Sequence, residues 1–495
     1  MNYDQIHPSG GEQNASLPQD FSSMAQELER EHQLRTQQET LIHTRKLLAG
    51  MPLVAETFNA LLREKEKGLR KATLFLARTI CRVCDGNLRV VRYSQRAKAE
   101  QDVYLFVGTH WQILPSQTYC DLVRAFARKG GISEECYEDC DFMNRLCELV
   151  AFRVSKAHTT CTRKGEAWLN LLNGTLELHA DGTANLRPHD RDDFFLYVLD
   201  YNHDPEADCP IWRRFLDEVL PDKEAQTLLA EYIGYCFTTG VKVEKMLVLY
   251  GTGSNGKSVV LDVLNALFGT SNVSFISLAE LTNNDEKRSH LEHKLVNISH
   301  ESDKQLDFAN LKKLVSGEPI DVRKLYVGSY IIEDYAKLVT SLNRLPSAEN
   351  TNGFYRRFLI LPFTKTITED QADIFLAQKI SATELPGILC WVLAALQGFL
   401  ARHGFSDCRL CREALEKYRL QTDNILLFAT ERLTPAEDGD IKASELYAIY
   451  KEFCLEEGLK PFGRNNFLNR LESMGFQPYI SHHYKCFRLK IKNYE

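Results

Sequence analysis

Gly251-Thr252-Gly253-Ser254-Asn255-Gly256-Lys257-Ser258 is a complete G-x-x-x-x-G-K-[ST] pattern, and its surroundings constrain the chain more than any other feature. An apolar run, Met246 to Tyr250, precedes it; an amphipathic run, Val259 to Phe268, follows and is closed by Gly269. Strand, glycine-rich turn and helix in that order predict a phosphate cradle. The glycines let successive backbone N–H groups point inward, and the helix N-terminus adds positive potential. Lys257 is expected to reach the β- and γ-phosphates of a nucleotide, with the Ser258 hydroxyl placed to ligate Mg²⁺.

With 495 residues, the chain has room for two to four domains that each bury a core. A net charge of −7 excludes a globally basic nucleic-acid coat while leaving room for a local basic groove. Fourteen scattered cysteines and an N-terminus without a charged-then-apolar leader suggest reduced thiols and a cytoplasmic protein. The longest apolar run, Ile388 to Leu396, is nine residues and is expected to be a buried helix, with no membrane contact. Two C-x-x-C pairs, Cys81/Cys84 and Cys408/Cys411, lie more than 300 residues apart, which argues against a shared zinc site; the second pair reads as packing around a helix start.

Residues 1–52 are expected to be a polar arm followed by a charged helix, in which Leu34, Leu41 and Leu48 repeat at seven-residue spacing. Residues 53–215 read as a mixed α/β domain, with a hairpin signal at Asn173-Gly174. Residues 216–405 would form the ATPase domain. In 406–495, two helices and two short strands give the layout of a winged helix. From Lys460 onward, seven Lys/Arg against two Glu leave +5. That is where such a module would meet a phosphate backbone.

Three features after the glycine-rich loop narrow its use. Lys294 to Glu301 is an apolar strand ending in a carboxylate 44 residues past Lys257, placed to order water around Mg²⁺ and polarise the attacking one. Ala336 to Asn343 is a second strand, ending in an amide that can sense the γ-phosphate. Arg356 and Arg357 precede a third strand, and one of them can reach a neighbouring subunit's nucleotide, although strand-flanking arginines also serve as surface ion pairs.

In this order and spacing the segment resembles the superfamily 3 helicases, and most closely the replication helicases of phages, plasmids, satellite elements and poxvirus-like viruses. Leu311 to Ile320, Arg323, Tyr326, Tyr335 to Leu338 and Asn343 to Pro346 carry the likeness, as do Arg187-Pro188-His189 and Leu446 to Tyr450. It extends over residues 100 to 490. The resemblance implies an AAA+-like parallel-sheet core, ATP and Mg²⁺ as cofactors, a homo-hexameric ring, and movement along single-stranded DNA at a fork. It implies Lys257 and Ser258 on phosphate and metal, Glu301 as the acid of the second motif, Asn343 as sensor, and Arg356 or Arg357 as finger. It also implies a pore hairpin within Val322 to Ile331, with Gly328 at the tip and Arg323, Lys324 and Tyr326 toward DNA.

Two departures stand out. Many relatives carry two adjacent acids where this chain has His300-Glu301, with Asp303 beyond, and Asp139-Cys140-Asp141 imitates a primase metal pair in a helical setting. A separate primase or origin-binding protein is an expected partner. The competing reading is a winged-helix origin-binding or loading ATPase that assembles on DNA without unwinding it.

Overall fold

The computed structural model describes residues 21–92, 101–157, 166–300, 305–324, 328–346, 352–368, 370 and 372–492. The chain divides into two compact units. The first comprises Met1–Cys161, His189–Val198 and Gly269–Phe275; the second comprises Thr162–Pro188, Leu199–Phe268 and Ile276–Glu495. The expected N-terminal domain boundary at 215 is therefore crossed: residues 162–188 and 199–215 cluster with the ATPase segment. Contacts between distant segments make that assignment, and periodicity along the sequence does not reveal it.

In the first unit, a four-stranded sheet runs Trp111–Leu114, Gln101–Phe106, Leu88–Arg92, Ser155–Ala157 in spatial order. Helices Gly68–Cys84, Ser116–Lys129 and Cys140–Val154 contribute Leu76, Ile80, Phe126, Leu146 and Val150 to its core. Cys81 and Cys84 belong to that packing. Asp139 caps the last helix, its Oδ1 accepting from the Asp141 and Phe142 amides at 2.8 and 3.2 Å, which accounts for the acid without a metal. On the long helix Phe21–Ala49, Leu48 packs against the core while Leu34 and Leu41 remain exposed.

The second unit holds the glycine-rich loop. We label its strands β1 (Met246–Tyr250), β2 (Val296–His300), β3 (Ile320–Lys324), β4 (Gly328–Ile332), β5 (Lys337–Leu342) and β6 (Phe358–Pro362). Its main helices are α1 (Lys223–Cys236), α2 (Lys257–Phe268), α3 (Leu385–Arg402) and α4 (Arg409–Thr422). Four strands of a five-stranded sheet lie in the order β6-β1-β5-β2, all parallel. Near-continuous apolar sequence is what a parallel strand covered on both faces requires, and Met246, Leu247, Val248 and Leu249 are fully buried. The registers pair Tyr250 with Leu342 and with Pro362, and His300 with Ser341. All four carboxyl ends therefore reach one edge of the sheet, where ligands of open α/β sheets bind.

α3 contains the nine-residue apolar run and is itself 18 residues with a mean hydropathy of 1.5, long and apolar enough to cross a membrane by composition alone. Its Ile388, Leu389, Val392, Leu396 and Phe399 are instead buried in the protein. α1 lies against it so closely that a Cβ on Gly234 would meet Leu396 Cβ at 2.9 Å.

The C-terminal segment forms three helices, α5 (Asn424–Arg432), α6 (Ala443–Glu456) and α7 (Arg464–Ser473), where two were expected. With them go an antiparallel three-stranded sheet, Ile441–Lys442, Tyr484–Phe487 and Pro478–Ser481, and a second pair, Leu433–Pro435 with Leu489–Ile491. Asp423, fully buried, caps α5 and holds Arg470 of α7 at 2.6 Å. The hairpin turns through His482 and His483, both with positive φ (46° and 68°), the backbone that a tight two-residue turn demands and that Asn-Gly more often supplies. Ile480 and Tyr484 flank it in the open.

Candidate nucleotide site and DNA-facing hairpin

The loop after β1 is held from within and from β6. Ser254 and Gly253 adopt positive φ (48° and 116°), as does Gly256 (82°). Asn255, 4% exposed, donates through Nδ2 to the Phe363 carbonyl at 2.9 Å, and the Ile367 amide donates to the Ser254 carbonyl at 2.7 Å. A Cβ on Gly251 would fall 2.5 Å from the Phe363 oxygen, so the close approach of this segment requires glycine there. Lys257 begins α2, and its ammonium donates to the Gly251 carbonyl at 2.7 Å and to Asn255 Oδ1 at 2.6 Å. Asn255 thus orients the lysine with one end of its amide and anchors the loop with the other. No motif position predicts that double role, because x in the pattern is unspecified. Ser258 follows, exposed on the first turn of α2, and Thr252 is exposed on the loop.

The neighbouring strand tips converge on this loop. The Gly251 amide donates to the Leu342 carbonyl at 3.1 Å, which sets Asn343, exposed, directly beside the loop's start. His300 ends β2, and its pKa is lowered by desolvation and then by the Lys257 charge, so the two side chains share a field. Glu301 and Asp303 lie outside the described residues. The strand that leads into Glu301 nonetheless ends beside Lys257.

Arg356 and Arg357 stand at the other edge. They precede Phe358, which registers with Met246, so a full strand of about 13 Å separates them from the loop edge. Arg357, 12% exposed, is committed internally: Nε and Nη2 donate to Ser316 Oγ at 3.1 and 2.9 Å, and Nη1 donates to the Gly353 carbonyl. Arg356 is 59% exposed and pairs with Glu244.

β3 and β4 form the expected antiparallel hairpin, Lys324 registering with Gly328. Gly328, at φ 97°, opens the returning strand, so it stands at the base of the three-residue loop and not at its tip. Tyr326 is in that loop, outside the described residues. Val322, Tyr330 and Ile332 bury one face in the core of the unit. Lys324 was expected to face DNA. Its ammonium is instead 2.7 Å from Glu292 Oε2, the same oxygen that accepts from the Tyr330 hydroxyl at 2.8 Å. Glu292 is 9% exposed and attracts the nearest cation, a long-range partner that the sequence does not announce. Arg323 is exposed.

Three family models match parts of the chain. Residues 89–221 match "D5 N terminal like", residues 249–357 match a family of unknown function (DUF5906), and residues 420–494 match "Poxvirus D5 protein-like". "Putative helicase L207/L206" of Acanthamoeba polyphaga mimivirus is 23% identical over 267 residues, 48% of this chain. The chain spans 28% of the length of that relative. Two solved structures of the NrS-1 C-terminal region align over 85% and 87% of this chain and all of theirs, at 11% identity with TM-scores of 0.49 and 0.46. Fold and site together define a mixed α/β protein with an ATPase-like parallel-sheet core. The matched segments show that this chain resembles the superfamily 3 helicases of the phage and poxvirus type.

Proposed function

We propose that the chain is an ATP-dependent DNA helicase of a phage or mobile element, working as a hexameric AAA+-like ring that moves along single-stranded DNA during replication. The observation that carries this reading is the division of the sheet. The glycine-rich loop, the β2 tip beside Lys257 and the Asn343 tip lie on one edge, while the arginine pair lies on the other. A site so divided is completed by a neighbouring subunit.

Within the site, Lys257 and the loop amides would hold the β- and γ-phosphates, and Ser258 with Glu301 would hold Mg²⁺, which supplies charge neutralisation at the phosphates. The donor set fits: a hydroxyl on the first turn of a helix and hard oxygen ligands suit that cation. Glu301 would accept a proton from the attacking water and Asn343 would orient it. Lys257→Ala should reduce ATP hydrolysis to background. Glu301→Gln should keep nucleotide binding and stop turnover, since an amide takes up no proton. Steady-state hydrolysis by the Gln variant would move the acid role to Asp303.

A second reading, an origin-binding or loading ATPase, draws on the C-terminal segment. Three helices, a small antiparallel sheet and an exposed turn carrying Ile480 and Tyr484 suit a winged helix on duplex DNA. Strand separation on a labelled fork decides between the two. ATP-dependent binding of duplex without separation would favour the loader.

A further inference from the structure

We infer that Asp222, Glu224, Cys408 and Cys411 form a zinc site that ties the start of α1 to the start of α4. Asp222 is the N-cap of α1 and Glu224 lies in its first turn; Cys408 is the N-cap of α4, with Cys411 three residues on. The two segments are distant in sequence, yet ligand atoms of Asp222, Glu224 and Cys408 all lie within 4.8 Å of one another. Cys411, three residues on at the start of the same helix, is the thiol next in line as a fourth donor. The C-x-x-C pair had been set against Cys81/Cys84, which sits in the core of the other unit. Its companions are carboxylates, and no sequence pattern links them to it.

Bond lengths of about 2.0–2.3 Å hold the donors of a tetrahedral zinc about 3.3–3.8 Å apart. The observed spread closes to that by about 1 Å of side-chain adjustment. Two thiols reject Mg²⁺ and Ca²⁺ and select a softer ion. Both are more than nine-tenths buried, Cys408 at 3% and Cys411 at 7% exposure. The surroundings supply position: Glu224, exposed, accepts from the Arg409 amide at 3.1 Å and Asp222 from the Ala225 amide at 2.9 Å. Among the described residues, no Lys or Arg side chain pairs with either carboxylate. Two carboxylates beside two thiols offer a softer divalent cation its donor set at the rim of the protein, with Asp222 half-buried, Glu224 exposed and Cys408 buried. α4 packs Leu415 and Tyr418 into the core of the ATPase sheet. The ion would therefore brace that sheet against the helix that leads into β1.

Metal analysis of the full chain purified without chelator should find one zinc per chain. Replacing zinc with Co²⁺ should produce a thiolate-to-cobalt charge-transfer band. Cys408→Ser and Cys411→Ser should each weaken the band and lower the stoichiometry, and Glu224→Gln, the milder change, should weaken zinc retention with the fold kept by circular dichroism. Lys257→Ala should retain the full zinc content, separating this site from the nucleotide site. Wild-type chain that binds no zinc on titration, or Cys408→Ser chain that keeps full stoichiometry, overturns the assignment. Intact-mass evidence for a Cys408–Cys411 disulfide in freshly purified, metal-free chain does the same and makes the pair a thiol switch.

Discussion

Asp262 sits one turn beyond Ser258 on α2, and burial raises its pKa to about 6. The sign of the consequence follows from proton binding. Between an unfolded value near 3.9 and the folded value, the folded chain holds the extra proton, so stability falls as pH rises across that window. Above about pH 6 the folded state carries the full cost of a buried carboxylate. Asp262→Asn should therefore raise the melting temperature at pH 8 and lose that advantage as pH falls toward 4; a pH-independent shift in melts would show that the carboxylate is already hydrated. Asn255 and Lys257 show the complementary case, in which buried polar groups are fully engaged and their positions are thereby defined. At Arg357 the guanidinium is engaged by Ser316 and Gly353, while Arg356 is exposed and pairs with Glu244, so Arg356 is the first of the two to test as a finger.

At the scale of the element, the β3–β4 hairpin separates residues engaged within the fold from residues left exposed. Lys324→Ala strips the largely buried Glu292 of this cation and should cost about 1 kcal/mol of stability, read as a lower denaturation midpoint. A loss of unwinding in that variant would accordingly mix folding with DNA contact. Arg323 and Tyr326 form the cleaner pair, since an exposed guanidinium can meet a phosphate and a phenol can stack on a base, contacts that read no sequence. Arg323→Ala with Tyr326→Ala should leave basal ATP hydrolysis near wild type while removing stimulation by single-stranded DNA. Unchanged stimulation would place the translocating contacts elsewhere and strengthen the loader reading.

For the whole molecule, the prediction concerns assembly. Fingers supplied in trans are worth about 10³–10⁵ in rate, or about 4–7 kcal/mol. Arg356→Ala chain should bind ATP, hydrolyse it poorly, and depress wild-type activity more than its molar share when the two are mixed. Activity that tracks the wild-type fraction would mean that Arg356 does not cross an interface.

Much of the core was legible along the sequence because its signals are local. An apolar strand, a glycine-rich turn and an amphipathic helix follow one another at residues 246–268, and the β2 and β5 strands repeat the apolar pattern, followed in sequence by Glu301 and Asn343. Local periodicity likewise marked the C-terminal helices α6 and α7, whereas the β3–β4 hairpin was expected only from the resemblance. What the tertiary structure alone decided are pairings between distant residues: Lys324 with Glu292, Arg357 with Ser316, and Asn255 with Phe363. The approach of Asp222 and Glu224 to Cys408 is another. The physical reason is that a hydrophobic period reports which face of an element is buried, while a charge or thiol finds its partner only when two such faces close on each other.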